Sequence, residues 1–268
     1  MRLNTPVETY KIGKHEVMVK RDDLMGDNKT LPPWAKLHAI KEVLTKMDPD
    51  KPIIHLNVFG SWSGWALSKL AKKHEVHIVH PITKKIKEEY LHNITKNGGS
   101  LIPIRHNMMR VLYAQAKNMG DAKGFQMLPY AFGTPWYLNP MARRFRETFA
   151  ELGHIDNLVI SSGAGVTVSG LAKAFLSLNP KGHVYTICVS SEGAITKTMT
   201  QWKIPLDNVT IVHSPFEFSD VMPKVAPAPF PCNQFWDMKA WHWLTENSEI
   251  MRRKKTLFWN LGGEYTYL

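Results

Sequence analysis

The sequence NLVISSGAGVTVSGLAKAFLSL (157–178) joins a buried strand to a helix through a turn of small residues. The apolar run at its start predicts the strand, and LAKAFLSL (171–178) has the pattern of a helix. Gly163 and Gly165 let the backbone of the turn approach a ligand closely, and free N–H groups at the start of a helix favour an anion. The stretch therefore predicts an anion-binding turn in an α/β fold.

Strand and helix patterns alternate on both sides of this turn, which is typical of parallel sheets. Strands are predicted at 15–21, 52–59, 74–81, 100–106, 157–161, 183–190, 208–214 and 255–260. Helices are predicted at 31–47, 62–73, 83–98, 107–120, 137–153, 168–178, 192–201 and 235–247. The strand–helix units within 51–121 predict a small inserted α/β domain, and residues 1–50 with 122–268 predict a larger one.

The composition of the 268-residue chain, with 44% hydrophobic and 21% charged residues, is that of a globular protein. No apolar run approaches the roughly 18–20 residues that a membrane helix needs, and the first residues lack a signal-peptide pattern. Cys188 and Cys232 lie far apart without metal-ligand spacing, so we expect reduced thiols, no metal site and a cytoplasmic location.

The net charge of +11 is unusual for an enzyme of small molecules. Basic clusters occur at 69–73, 84–87, 143–146 and 252–255. They are interpreted either as solvated helix faces or as the field that attracts a polyanion, of which DNA is the main candidate.

The turn at 163–167 matches neither the dinucleotide fingerprint nor an ATP-binding loop, so its ligand depends on the rest of the chain. Four segments supply that context in order: VKRDDL leading to PPWAKLHAI (19–40), FGSWSGWALSKLA (59–71), FWDMKA (235–240) and LFWNLGGEY (257–265). Together with the turn they resemble the type II fold of pyridoxal-phosphate (PLP) enzymes. The branch they resemble is that of aminocyclopropane-carboxylate deaminase and D-cysteine desulfhydrase.

The resemblance covers nearly the whole chain and implies a fold like that of the tryptophan synthase β subunit. Two parallel-sheet domains would hold PLP in the cleft between them. Lys36 would form the Schiff base and move protons, with Lys29 as its rival. The residues implied to bind the cofactor phosphate are Gly163, Ala164, Gly165, Val166 and Thr167.

Asp237 matches the acid that faces the pyridine nitrogen in such enzymes, where a carboxylate makes the ring a strong electron sink; a helix cap is the alternative. Trp236 replaces the family's tyrosine, so opening of a cyclopropane ring by the usual route is not expected. Ser63 stands in the Ser-Asn motif, but Gly64 replaces its asparagine. Asn57 or Asn260 is therefore expected to contact the 3-hydroxyl of the cofactor.

Ser61 and Ser63 are candidates to bind the substrate, with Trp236 beside them, and Ser63 is also a candidate catalytic residue; both serines could instead cap a helix. Small relatives with this pattern occur in bacteriophages that modify DNA bases. The resemblance implies decarboxylation of an amino-acid adduct on a hypermodified thymine, in DNA, in a phage-infected cell. The alternatives are a deaminase, desulfhydrase or β-replacement enzyme of free amino acids, and a protein without enzymatic activity. Relatives commonly form homodimers.

Overall fold

The computed structural model describes residues 1–58, 60–82, 88–105, 108–218, 220–222 and 227–264, with the side chains of 88–90 outside the description. The strands are β1 (Val7–Ile12), β2 (His15–Arg21), β3 (Ile53–Leu56), β4 (Val76–Pro81), β5 (Ser100–Ile104), β6 (Gln126–Met127), β7 (Asn157–Ser162), β8 (His183–Cys188), β9 (Val209–His213) and β10 (Thr256–Asn260). The α-helices are α1 (Leu37–Leu44), α2 (Ser63–Leu70), α3 (Glu88–Lys96), α4 (Met109–Lys123), α5 (Pro135–Leu152), α6 (Val166–Leu178), α7 (Glu192–Gln201) and α8 (Asp237–Glu246).

The larger sheet has six strands in the order β1-β2-β10-β7-β8-β9. All neighbours are parallel except β1, which pairs with β2 as an antiparallel edge strand. The sequence patterns did not predict β1, because its mostly half-exposed side chains give it no apolar run. The parallel core of the sheet confirms the expected α/β class.

The smaller sheet has four parallel strands in the order β5-β4-β3-β6. Its strands come from residues 53–127, so β6 lies just beyond the proposed inserted domain at 51–121. That division of the chain stays a prediction. Residues of both sheets, including Ile78 of β4 and Leu158 of β7, belong to one hydrophobic cluster.

Two predicted helices differ from the structure at their ends, and the one predicted over 31–47 differs at both, since it spans Leu37–Leu44. The helix predicted over 31–47 begins only at Leu37, because Pro32 and Pro33 lack N–H donors and the next residues pair with the chain after β10. The helix predicted to close at Gly120 continues to Lys123 and ends at Gly124, whose φ is +69°. Residues 83–87 of the helix predicted over 83–98 lie outside the description.

Within the described part of the chain, no helix combines the length and the apolar character needed to cross a membrane. The carboxyl ends of β3, β7 and β10 and the loops that follow them all contribute residues to one cleft. Ligands in α/β proteins bind at this edge of parallel sheets.

Candidate active site

The cleft encloses about 840 Å³, part of it open to solvent. One wall comes from β3, the loop after it and the start of α2. The other comes from the end of β7, the turn before α6, the start of α8 and the two residues that follow β10. The residues that line the cleft include Lys36, His55, Ser61, Ser63, Tyr130, Phe132, Gly163, Ala164, Gly165, Val166, Thr167, Trp236 and Asp237.

Lys36 immediately precedes α1 and reaches the cleft because the chain before it is fixed against β10. Trp34 forms a bridge with Gly262, and the N–H of Ala35 donates to the carbonyl of Leu261 at 2.8 Å. The Lys36 Nζ lies 5.1 Å from the Trp34 ring centre and 6.0 Å from that of Tyr137.

Within the described residues, Lys36 Nζ makes neither a hydrogen bond nor a salt bridge. Burial lowers the pKa of this amine to about 8, although the nearby Asp237 carboxylate acts in the opposite direction. A lysine amine whose pKa is close to neutral pH is easily deprotonated and can act as a nucleophile or as a base. Lys29, in contrast, is exposed on a turn and does not line the cleft.

Asp237 is the first residue of α8 and is fully buried. Its carboxylate accepts hydrogen bonds from Ser161 Oγ at 2.7 Å and from the Gly262 N–H at 3.1 Å, so it does more than cap its own helix. Burial raises the pKa of Asp237 to about 7, while these hydrogen bonds and Lys36 oppose the shift. Without a contacting cation among the described residues, this carboxylate suits a cationic ligand atom.

The turn at 163–167 lines the cleft with all five of its residues. Ser190 Oγ donates to the Gly163 carbonyl and Thr198 Oγ1 to the Ala164 carbonyl, each at 2.8 Å. Gly165 has φ +82°, a conformation that favours glycine. In the described structure, the N–H groups of 164, 166 and 167 have no protein acceptor. This arrangement, at the start of a helix, fits a phosphate.

Two aromatic residues shape the walls near the turn. Trp236 packs so closely on Gly163 that a Cβ there would lie 2.6 Å from the indole ring. Tyr137 is buried, and its hydroxyl lies 2.8 Å from Thr167 Oγ1. Thr167 thus faces both the turn and the aromatic wall.

The two candidate serines belong to a hydrogen-bonded group on the opposite wall. Ser63 Oγ lies 2.8 Å from Asn57 Oδ1 and 2.9 Å from Ser61 Oγ. The Gly64 N–H also donates to Asn57 Oδ1, at 3.0 Å. The structure therefore brings both serines to the cleft, and each has partners inside this group.

The structure does not bring Asn57 or Asn260 to the cleft wall. The Oδ1 of Asn57 is taken by Ser63 and Gly64. Asn260 lies fully buried in β10, where its Nδ2 donates to the Pro231 carbonyl at 2.8 Å. Neither residue stands in the lining where a contact with the 3-hydroxyl of a cofactor would be made.

Sequence reasoning missed His55, a buried residue of β3 that lines the cleft. Its Nε2 lies 2.9 Å from Ser63 Oγ, and its ring stacks on Phe132 with centres 4.9 Å apart. Burial lowers the pKa of His55 to about 3, and Lys36 lowers it further in the same direction, so the ring is neutral. A histidine inside the apolar run IIHL was the available signal.

Comparison with family models gives no match for this chain. A search of characterised proteins finds the "Glycyl-dTMP PLP-dependent decarboxylase" of Pseudomonas phage M6. It is 26% identical over 282 residues, covering 97% of this chain and 98% of the phage protein. The chain is thus similar to a phage enzyme along almost its entire length, as the motif order predicts.

Solved structures share the fold at lower identity. A hydrogen sulfide-producing enzyme of Fusobacterium nucleatum matches with a TM-score of 0.75 and 15% identity, over 99% of this chain and 97% of that one. A homologue of ACC deaminase matches with a TM-score of 0.76 and 20% identity, over 97% and 89% of the two chains. This chain has the type II fold of PLP-dependent enzymes, as expected.

Proposed function

We propose that the cleft binds pyridoxal phosphate and that the protein is a PLP-dependent decarboxylase of an amino-acid adduct on a thymidine nucleotide. One observation carries the cofactor assignment. Lys36 lines the same cleft as an anion-binding turn and the buried carboxylate of Asp237, and neither the amine nor the carboxylate has a charged contact among the described residues. These are the three groups that an aldehyde, a phosphate and a pyridine nitrogen require.

Each of these residues has one role toward the cofactor. The N–H groups of the turn at 163–167 and the Thr167 hydroxyl would hold the phosphate. Lys36 would anchor the aldehyde carbon, and Asp237 would face the ring nitrogen. When bound, the cofactor supplies a sink for the electron pair left on an α-carbon after a bond to that carbon breaks.

The protein residues then control protons and water. Asp237, once next to a cationic nitrogen, keeps its charge and so keeps that nitrogen protonated. Lys36 Nζ, with its pKa near neutrality, can return a proton to the substrate carbon. Trp236 has no acidic group to protonate a leaving atom, so its presence favours loss of carbon dioxide over opening of a strained ring.

The substrate class rests on the phage relative, whose name gives glycyl-dTMP as its substrate. Tyr130 lines the cleft while 42% of its surface stays exposed, which suits stacking against a base at the entrance. The net charge of +11 suits a phosphate backbone, and we propose that DNA carries the adduct. The residues of the 252–255 cluster are exposed, whereas Arg144 of the 143–146 cluster is buried, and 84–87 lie outside the description.

A second function is favoured by the similar solved structures, among them a sulfide-producing enzyme and a deaminase homologue. The same lysine, carboxylate and anion turn would serve elimination or deamination of a free small amino acid. In that case Ser61 and Ser63 would bind the substrate carboxylate.

Release of carbon dioxide distinguishes the two. Purified protein with PLP would receive glycyl-modified thymidine as a monophosphate, in single-stranded DNA and in duplex DNA, and separately free D-cysteine and aminocyclopropane-carboxylate. We expect carbon dioxide from the modified thymidine, fastest on DNA and slowed by salt. Turnover of free amino acids alone would establish the second function. A Lys29→Met variant should match the wild type, whereas Lys36→Met should be inactive.

A further inference from the structure

His55 carries a buried polar atom that has no partner in the described part of the chain. No described residue forms a hydrogen bond with its Nδ1, although the residue is only 3% exposed and lines the cleft. Such an atom typically costs about 1–3 kcal/mol when nothing satisfies it. Because His55 lies at the wall of a cleft, we infer that a bound ligand forms a hydrogen bond with this Nδ1 atom.

The ring of His55 is held firmly in one orientation. Phe132 stacks on it at 14° between ring planes, and Tyr137 stacks on Phe132 at 18°. The backbone of Ala131 and Phe132 has φ values of +53° and +62°, which are strained for residues other than glycine. The protein therefore accepts local strain in the segment that places Phe132 against this histidine.

The position of His55 matches one particular edge of the cofactor. In the PLP ring the carbon that bears the aldehyde lies opposite the nitrogen, and the carbons that bear the 3-oxygen and the phosphate arm flank it on its two sides. If the turn before α6, on the wall formed by the larger sheet, held the phosphate, the 3-oxygen would be directed away from that turn, toward the wall formed by the smaller sheet. That wall holds His55, Ser61 and Ser63, while Gly64 offers no side chain.

We propose that His55 contacts the 3-oxygen of the cofactor through Nδ1, in the place of the asparagine that Gly64 replaces. The inference rests on the proposed function. Because that oxygen is an anion when the lysine-linked nitrogen is protonated, Nδ1 must carry the hydrogen. His55 is then a positioning residue that tunes the electronic state of the cofactor.

Ser63 allows the required tautomer. Its hydroxyl hydrogen can point either to Asn57 Oδ1 or to His55 Nε2. When it points to Nε2, the ring hydrogen of His55 sits on Nδ1, the atom that has no hydrogen-bond partner among the described residues. Asn57 Oδ1 keeps the Gly64 N–H at 3.0 Å, so no buried acceptor loses its only partner.

His55→Phe tests the contact because it keeps an aromatic ring against Phe132 and removes both nitrogens. The matched control is His77→Phe, since His77 lies on the neighbouring strand β4, stacks on Phe125 at 4.4 Å and does not line the cleft. The readouts are the dissociation constant for PLP and the visible absorption band of the bound cofactor. His55→Phe should weaken PLP binding about tenfold and move the band to shorter wavelength.

His55→Asn, which restores a donor, should recover part of the band position, and His77→Phe should leave both readouts unchanged. A band in the wild type that His55→Phe leaves unchanged would overturn the role of His55 and leave the cofactor assignment intact. A wild type that shows no band would instead overturn the proposed function.

Nitrogen NMR of the wild-type protein gives a second test, in which a variant serves only to assign one signal. With ¹⁵N-labelled histidine, addition of PLP should convert the His55 Nδ1 signal from the unprotonated to the protonated type. The His55→Asn spectrum assigns that signal by its loss. A signal that stays unprotonated after PLP has bound would contradict the proposal.

Discussion

Asp22 and Asp237 are both buried carboxylates, yet their surroundings differ. Asp22 accepts hydrogen bonds from Arg144 Nη2 at 2.9 Å and from Trp259 Nε1 at 3.0 Å. Among the described residues, the donors to Asp237 are neutral: the Ser161 hydroxyl and the backbone N–H groups of Leu261 and Gly262. The Asp22 carboxylate is in contact with a positive charge, that of Arg144, whereas the Asp237 carboxylate has no such contact among the described residues.

The same difference separates two buried lysines. Lys20 Nζ donates to the Thr5 carbonyl at 2.6 Å, and it lies near Asp22. Lys36 Nζ has no such bond, although burial lowers the pKa of both amines. A lowered pKa alone therefore does not mark a functional lysine. An unpaired charge at the wall of a cleft does, because folding gains nothing from keeping it there.

The largest effect is expected at the lysines. Lys36→Met removes the amine that we propose moves protons at the substrate, so activity should fall about 10⁴-fold. Lys20→Met alters a contact remote from the cleft and should keep the visible PLP band and most activity. Absorbance and carbon dioxide release on both variants check this. Equal losses in the two variants would remove the distinction between the lysines.

The carboxylates should respond in opposite directions. Asp22→Asn removes the buried charge partner of Arg144 and leaves it the exposed Glu147 at 3.6 Å, so it should lower the free energy of unfolding by about 3 kcal/mol. Asp237→Asn removes a carboxyl group whose pKa is raised from 3.8 to about 7 in the folded protein. Its protonated form is favoured by folding, so the stability it contributes is complete below pH 3.8 and is lost as pH rises through 7.

Asp237→Asn should therefore stabilise the cofactor-free protein above pH 7 by about 1–3 kcal/mol and lose this advantage at acid pH. Activity should fall by about 10²-fold or more, because the ring nitrogen loses its anion. Urea unfolding at several pH values gives the comparison. An Asp237→Asn protein that is less stable than wild type above pH 7 would contradict the account.

The smallest effect concerns two glycines. A Cβ at Gly163 would lie 2.6 Å from Trp236, whereas at Gly193, in the first turn of α7, the nearest atom is 3.9 Å away. Gly163→Ala should cost about 1–3 kcal/mol and weaken PLP binding. Gly193→Ala should be neutral or stabilise slightly. Thermal melting and PLP titration measure both, and recovery in Gly163→Ala with Trp236→Phe would identify the collision.

Much of the site could be predicted because its parts are local or ordered along the chain. The glycine turn before α6, the lysine after two prolines and the acid at the start of α8 each have a signal in a short segment. The parallel sheets follow from the alternation of strands and helices. These features place Lys36, Asp237 and residues 163–167 at one cleft.

The rest depends on contacts that no short segment records. β10 is buried on both faces, so its sequence does not tell which way Asn260 points. His55 acquires its place through Ser63 and through Phe132, which lies far away in the sequence. The residues predicted as the first turns of the helix before Leu37 are not helical, because Trp34 pairs with Gly262 after β10. Side-chain direction and through-space partners had to come from the structure.

Reductive trapping tests the central claim most directly. The protein with PLP would be treated with borohydride, which fixes the cofactor covalently to the lysine that holds it, and the modified peptide would be identified by mass spectrometry. The account predicts one modified residue, Lys36. Modification of Lys29, Lys20 or Lys239 in its place, or no modification of a protein saturated with PLP, would contradict it.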